Sequence, residues 1–251
     1  MRTAILAAAL ASLLAGASPL AFAEAAPETI AAAIADPARP AEDLARDAAR
    51  HPAELIAFAG VEPGDVVVDF MPGAGYFTRL FSNVAGPEGK VYAWVPKGVE
   101  DKFNMGEEAA AAVAGRANAE RLIEPLTGPV SFSNADIVWT SQNYHDLHTA
   151  LFGGADVAAF NKLVFDSLKP GGVFIVVDHV AASGSGVEAA EALHRIDPAI
   201  VKAEVEAAGF VFEGESAVLA NPADTHDILV FDEKIRGKTD QFVYKFRKPG
   251  A

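Results

Sequence analysis

The sequence predicts an α/β domain whose sheet is mostly parallel, covered by helices on both faces and finished by an antiparallel pair at one edge. Three observations predict it. Residues 66–70 (Val-Val-Val-Asp-Phe), 90–94, 135–141 and 172–178 are short β-branched or aromatic runs, apolar on both faces, as strands buried under two layers of helix must be. Helix-period stretches at residues 76–84, 106–115, 155–168 and 187–208 separate those runs, the alternation that builds a parallel sheet. The tail breaks the rhythm, because residues 210–219 and 241–247 read as strands with no helix between them, only a long connection containing Pro222 and Gly237.

Before the first strand, residues 41–60 carry apolar positions at Leu44, Ala48, Leu55, Ile56 and Ala59, which predict one or two amphipathic helices interrupted at Pro52. Residues 24–40 are rich in alanine and proline and read as a linker. The segment ahead of them differs again. Arg2 supplies one positive charge, residues 4–20 are almost wholly apolar, and Ala21-Phe22-Ala23 forms a small-x-small site. This predicts a Sec-type secretory signal peptide over residues 1–23, cut after Ala23, with an uncleaved membrane anchor as the alternative. The expected organisation is a signal peptide at 1–23, a linker at 24–40 and one domain at 41–251, periplasmic or secreted, with no stable membrane insertion after cleavage. Its 251 residues are enough for a full core.

Composition narrows the function classes. With 34 acidic against 20 basic residues the formal net charge is −14, which disfavours nucleic acid as a partner and leaves a small molecule as the expected substrate. There is no cysteine, so disulfides, thiolate metal sites and thiol nucleophiles are excluded.

In open α/β sheets ligands bind beyond the carboxyl ends of the strands, where glycines in the first turn let a ligand approach the backbone. Residues 66–77 supply that strand, turn and helix, with Gly73 and Gly75 in the turn. The larger order of motifs is Gly-Val-Glu-Pro-Gly-Asp (60–65), the glycine turn and Gly-Pro-Glu-Gly-Lys-Val-Tyr-Ala (86–93). Asp-Ile-Val-Trp (136–139), Asn-Tyr-His-Asp-Leu-His (143–148), Leu-Lys-Pro-Gly-Gly followed by a buried run to His179, and Ala-Ala-Gly-Phe (207–210) complete it.

Over residues 40–249 this pattern resembles the class I S-adenosylmethionine-dependent methyltransferase family, and within it an exported bacterial branch of predicted methyltransferases. The resemblance implies a Rossmann-like, doubly wound seven-stranded sheet, mostly parallel with an antiparallel last strand, and S-adenosylmethionine as cofactor. It implies that Asp69, Gly73 and Gly75 approach the methionine part of that cofactor, that Asp136 opens the fourth strand, and that Asn143 to Asp146 face the substrate and the transferred methyl group. The expected cofactor residues are therefore Asp69, Gly73, Gly75, Asp136 and Asn143. Two positions depart from the family pattern. Met71 stands where its first glycine is expected, and Val95 where the second strand ends in a ribose-binding carboxylate, for which Glu100 or Asp101 is the nearest substitute.

Methyl transfer asks mainly for alignment. Where the acceptor must lose a proton, His145 is the candidate base and Tyr144 the candidate orienting group. The alternative makes His145 a structural histidine and Asn143 a helix cap. His145, Asp146 and His148 after one strand, with Asp178 and His179 after another, also suit a divalent metal, although the spacing of the two nearer histidines argues against convergence and no metal ligand is assigned. His194, Arg195 and Asp197 read either as a substrate-facing group or as a surface salt-bridge cluster. Arg39, Asp47 and Arg50 read either as a lid or as a solvated helix face. Two other functions stay open: an exported binding protein that keeps the fold without catalysis, and a metal-assisted hydrolase.

Overall fold

The structure is a computed structural model describing residues 27–250, so the expected signal peptide and its cleavage site lie outside the described residues. Four short helices come first: α1 (Pro27–Ile34), α2 (Ala41–Leu44), α3 (Asp47–Arg50) and α4 (Pro52–Ala59). The alternating body follows as β1 (Val66–Phe70), α5 (Tyr76–Ala85), β2 (Lys90–Pro96), α6 (Lys97–Phe103), α7 (Gly106–Val113), β3 (Ala119–Glu124) and β4 (Ala135–Ser141). Two 3₁₀ turns at His145–His148 and Ala150–Phe152 lead to α8 (Val157–Ser167) and β5 (Leu168–His179). The chain ends in α9 (Glu188–Leu193), α10 (Pro198–Ala207), β6 (Val211–Ser216) and β7 (Gln241–Arg247).

The sheet has seven strands in the order β3-β2-β1-β4-β5-β7-β6. Strands β1 to β5 pair in parallel, and β7 runs antiparallel to both β5 and β6. The expected fold class is therefore the one observed, with the last strand as the reversed one. Period-two alternation sends Val67, Ile137, Trp139, Val173 and Ile175 to one face, where they pack with α1, α4 and α5. It sends Val68, Phe70, Val138, Phe174 and Val176 to the other, under α8 and α10. Strands buried on both sides explain why the sequence shows continuous apolar runs.

Three expectations need correction. The stretch assigned to a linker contains α1, whose Ile30 and Ala33 are buried in the core beside α4 and α5. Residues 187–208 are two helices rather than one: His194 takes a left-handed conformation (φ 53°), and Asp197 caps a new helix whose first residue is Pro198. Strand β3 was not located from sequence. It is an edge strand with one buried side chain, Leu122, and so carries almost no hydrophobic pattern.

Candidate functional site

Strands β1 and β4 are neighbours that end at the same edge of the sheet, each followed at once by a non-glycine residue in the left-handed region, Met71 (φ 52°) and Gln142 (φ 63°). Such strain persists where surrounding bonds over-determine the backbone. Here the Met71 amide donates to the Trp94 carbonyl at 2.9 Å and the Gln142 amide to the Val177 carbonyl at 2.7 Å. The Asn143 side chain then donates to the carbonyls of Phe70 and Met71, at 3.3 and 3.2 Å, and ties the two turns together. Met71 thus adopts the backbone conformation for which a glycine would ordinarily be chosen, and the loop keeps its course.

Between these turns lies a cavity of about 170 Å³, walled by Asp69, Gly73, Asn143, Arg46 and Arg50 among others. Asp69 is 3% exposed, and burial pushes its carboxyl up to about 7, although it accepts a 2.6 Å hydrogen bond from the Thr78 hydroxyl and lies near Arg50. A side chain built on Gly73 would meet nothing within 4 Å and would project into open space. Gly75 has a different task. A Cβ there would come within 2.0 Å of the Ala112 Cβ, so this glycine lets α5 and α7 pack closely and is not part of the cavity wall.

A buried carboxylate and a guanidinium facing one small cavity fit the two charges of an amino-acid group. The ribose side is different. Val95 is 3% exposed and packs with Ala93 and Ala109, with Met105 and Val113 against them. Glu100 accepts the hydrogen bond of the Gly106 amide at the start of α7, while Asp101 pairs with Lys97 on the surface. Neither acid faces the cavity beside Asp69. Asp136 departs further from expectation. It sits at the opposite, amino-terminal edge of β4, accepting from the Val66 amide at 2.9 Å and pairing with Lys169, which removes it from the cofactor set.

The other sequence candidates sort by burial. Tyr144 is fully buried. Its hydroxyl donates to Glu204 at 2.9 Å and accepts from Asn161 at 2.8 Å, so it braces the 3₁₀ turn against α8 and α10 and does not line the cavity beside Asp69. His145 is 3% exposed, with Nδ1 at 2.8 Å from Asp178. Burial works against its positive charge, but the Asp178 carboxylate outweighs that and holds its pKa above the ordinary value. Asp178, in turn, is lowered by His145 despite its own burial. On the far side, His145 Nε2 lies 3.2 Å from His194 Nδ1 and 3.3 Å from Asp146. Those three residues are the only His/Asp/Glu group among the described residues with ligand-type atoms close enough to share a metal. His148 is instead bonded to Glu204 and His179 to Thr239, so the wider histidine set does not converge.

Arg195 is fully buried rather than at the surface. It pairs in two-pronged fashion with Asp224, at 2.8 and 3.1 Å, and donates to the carbonyls of Ile228 and Val180. Asp197 caps α10. Likewise Arg39 is buried against Asp47, which also accepts from the Tyr76 hydroxyl at 2.6 Å, so these residues fasten α3 to α5. Arg195 fixes the long connection before β7. That connection roofs a second cavity of about 530 Å³ beside the first, sharing Arg46, Arg50, Phe77, Ser141 and Gln142 with it. Sequence reasoning passed over Arg46 and Arg236. Each is an isolated cation with no local pattern, and only folding brings them to one place.

No protein-family model matches the chain. Among curated proteins, a ubiquinone/menaquinone biosynthesis C-methyltransferase UbiE from Cupriavidus taiwanensis is 30% identical over 130 residues, 49% of this chain and 46% of that protein. A UbiE from Hydrogenovibrio crunogenus is likewise 30% identical, over 135 residues. The chain thus spans about half the length of the curated relatives it matches. Among solved structures, a SAM-dependent methyltransferase from Aquifex aeolicus superposes with a TM-score of 0.59 at 20% identity, covering 88% of this chain and 98% of that one. The [4+2]-cyclase SpnF superposes with a TM-score of 0.58 at 15% identity, covering 84% and 82%. The chain therefore has the class I S-adenosylmethionine-dependent methyltransferase fold and, over about half its length, is homologous to UbiE-type methyltransferases.

Proposed function

We propose that this protein is an S-adenosylmethionine-dependent methyltransferase acting on a small molecule. The observation that carries the reading is the cavity at the adjoining ends of β1 and β4, where Asp69, the open face of Gly73, Asn143 and Arg50 meet. In this reading Asp69 takes the ammonium and Arg50 the carboxylate of the cofactor's methionine end, and Gly73 leaves room for it. The sulfonium supplies an electrophilic methyl group. The chain's own work is alignment and exclusion of water.

Fold likeness does not fix chemistry, and SpnF, named as a cyclase, illustrates this. Val95 favours a second reading, a binding protein that keeps the fold without catalysis, because a valine cannot accept the ribose hydroxyl bonds. Calorimetric titration of the purified protein with S-adenosylmethionine and S-adenosylhomocysteine separates the two. Saturable binding supports the methyltransferase, and absence of binding of either compound favours the second reading. Gly73→Val should abolish the binding, since a branched side chain would enter the cavity and strain a backbone held at φ 54°, with circular dichroism checking that the fold is retained. We also propose export, on the sequence of residues 1–23. Mass spectrometry of an envelope fraction should find a chain beginning at Glu24, and full-length protein in the cytoplasm would refute it.

A further inference from the structure

The larger cavity has a lining that composition does not explain. Acids outnumber bases 34 to 20 in this chain, yet the charged groups walling the 530 Å³ space are the three arginines Arg46, Arg50 and Arg236, with no aspartate or glutamate among them. They come from separate places, Arg46 and Arg50 from around α3 and Arg236 from the connection before β7. Arg46 and Arg236 are exposed at the mouth of this space, and Arg50 is half-buried. Among the described residues, none of the three forms an ion pair. Arg50 makes a single 3.5 Å hydrogen bond to Gln142 and lies 4.8 Å over the Tyr76 ring, and Arg46 lies 5.5 Å over the same ring. Burial and the like charge of Arg46 push the pKa of Arg50 down to about 10, against the opposing pull of Asp43 and Asp69. The remaining wall is apolar at Leu55, Phe77, Leu219 and Val230, with neutral hydrogen-bonding groups at the strand ends.

We propose that this cavity is an acceptor site for a small organic anion, a carboxylate or phosphate head on an apolar body. Converging guanidinium groups recognise such heads through charge-assisted, forked hydrogen bonds, and they lose least when the anion replaces water. The apolar wall holds the rest of the molecule. The wall residues shared with the Asp69 cavity set the acceptor beside the methyl donor, and to that extent the inference rests on the methyltransferase reading. Arg50 stands on the shared wall, whereas Arg236 belongs to the larger cavity alone.

The test is calorimetric titration of the purified protein with 4-hydroxybenzoate, phenyl phosphate and neutral 4-hydroxybenzamide, with and without S-adenosylmethionine. At least one anion should bind about tenfold or more tightly than the amide, and should weaken as salt rises. Whichever anion binds tighter identifies the head group. Arg236→Gln should weaken that anion about tenfold. Its affinity for S-adenosylmethionine should stay within about twofold, as Arg236 does not touch the smaller cavity, and that unchanged affinity also shows the variant to be folded. Equal affinity for amide and anions, no binding of either anion, or an Arg236→Gln variant that binds the anion as the wild type does would each overturn the proposal. Anion binding that survives while S-adenosylmethionine never binds would leave the anion site standing and remove the methyltransferase reading.

Discussion

Asp69 is a carboxylate that the folded chain holds at a cost. Its pKa is pushed up to about 7, whereas an exposed aspartate titrates near 3.8. The folded state therefore keeps a proton between about pH 4 and pH 7 that the unfolded chain has released. Its contribution to stability is fully present below pH 4 and is lost as pH rises through 7. Asp69→Asn should accordingly melt at a higher temperature than wild type at pH 8, by the equivalent of a few kcal/mol, with the gap closing towards pH 4. Thermal unfolding at the two pH values checks this, and an unchanged gap would mean that Asp69 ionises freely. The tension is what a ligand-binding carboxylate would show, because a cofactor ammonium would add to the partial compensation from Arg50 and Arg79. His145 presents the opposite case, a charge already satisfied. His145→Gln would leave Asp178 buried without a cation, although the amides of His145 and His179 still donate to it. The expected loss is roughly 3 kcal/mol, at the lower end for breaking a buried pair. Affinity for S-adenosylmethionine should change little. Denaturant unfolding and calorimetry on the same variant separate this from a catalytic role, for which stability would hold and turnover fall.

At the scale of elements, the site is made where two strands stop and two left-handed residues turn the chain. Its roof depends on the segment between β6 and β7, which has little regular structure and is held by the Arg195–Asp224 pair beneath it. Because both side chains are wholly buried, Arg195→Ala leaves the Asp224 carboxylate without a cation, held only by the amides of His226 and Asp240, and takes the donor from two carbonyls. We expect a loss of about 3–5 kcal/mol, accompanied by faster amide hydrogen exchange in residues 221–239. A variant that loses stability without loosening that segment would show that Arg195 supports the sheet instead of the roof.

Over the whole molecule, the doubly wound sheet sets two cavities side by side along one edge, and the amino-terminal helices complete the layer that closes them. Helix α1 belongs to this layer: Ile30 and Ala33 fill the space beside α4 and α5. A chain starting at residue 41 should therefore unfold more readily by about 2–4 kcal/mol, chiefly the loss of burying Ile30 and its neighbours. Denaturant unfolding measures this, and a shortened chain as stable as the whole one would return residues 27–40 to the status of a linker.

The fold was legible because both faces of its central strands are buried. Residues 66–70, 135–141 and 172–178 carry their apolar runs locally, and a parallel sheet between layers of helix covers them. That Asp69, Gly73 and Asn143 lie together at the sheet edge was legible for the same reason, as they lie within a few residues of a strand end. What the sequence could not give depends on distance along the chain. Tyr144 and His145 are adjacent to Asn143, yet a 3₁₀ turn swings them into the interior, to Glu204 and Asp178. Asp136 is in the right strand but at its wrong end. Arg46 and Arg236, 190 positions apart by their numbering, share a cavity only because β7 returns the chain beside β5. Local patterns determined which segments are strands and where the sheet ends, since burial acts on neighbouring residues. Which side chains face one another across that edge was decided by tertiary packing alone, because contacts between remote segments leave no periodicity to read.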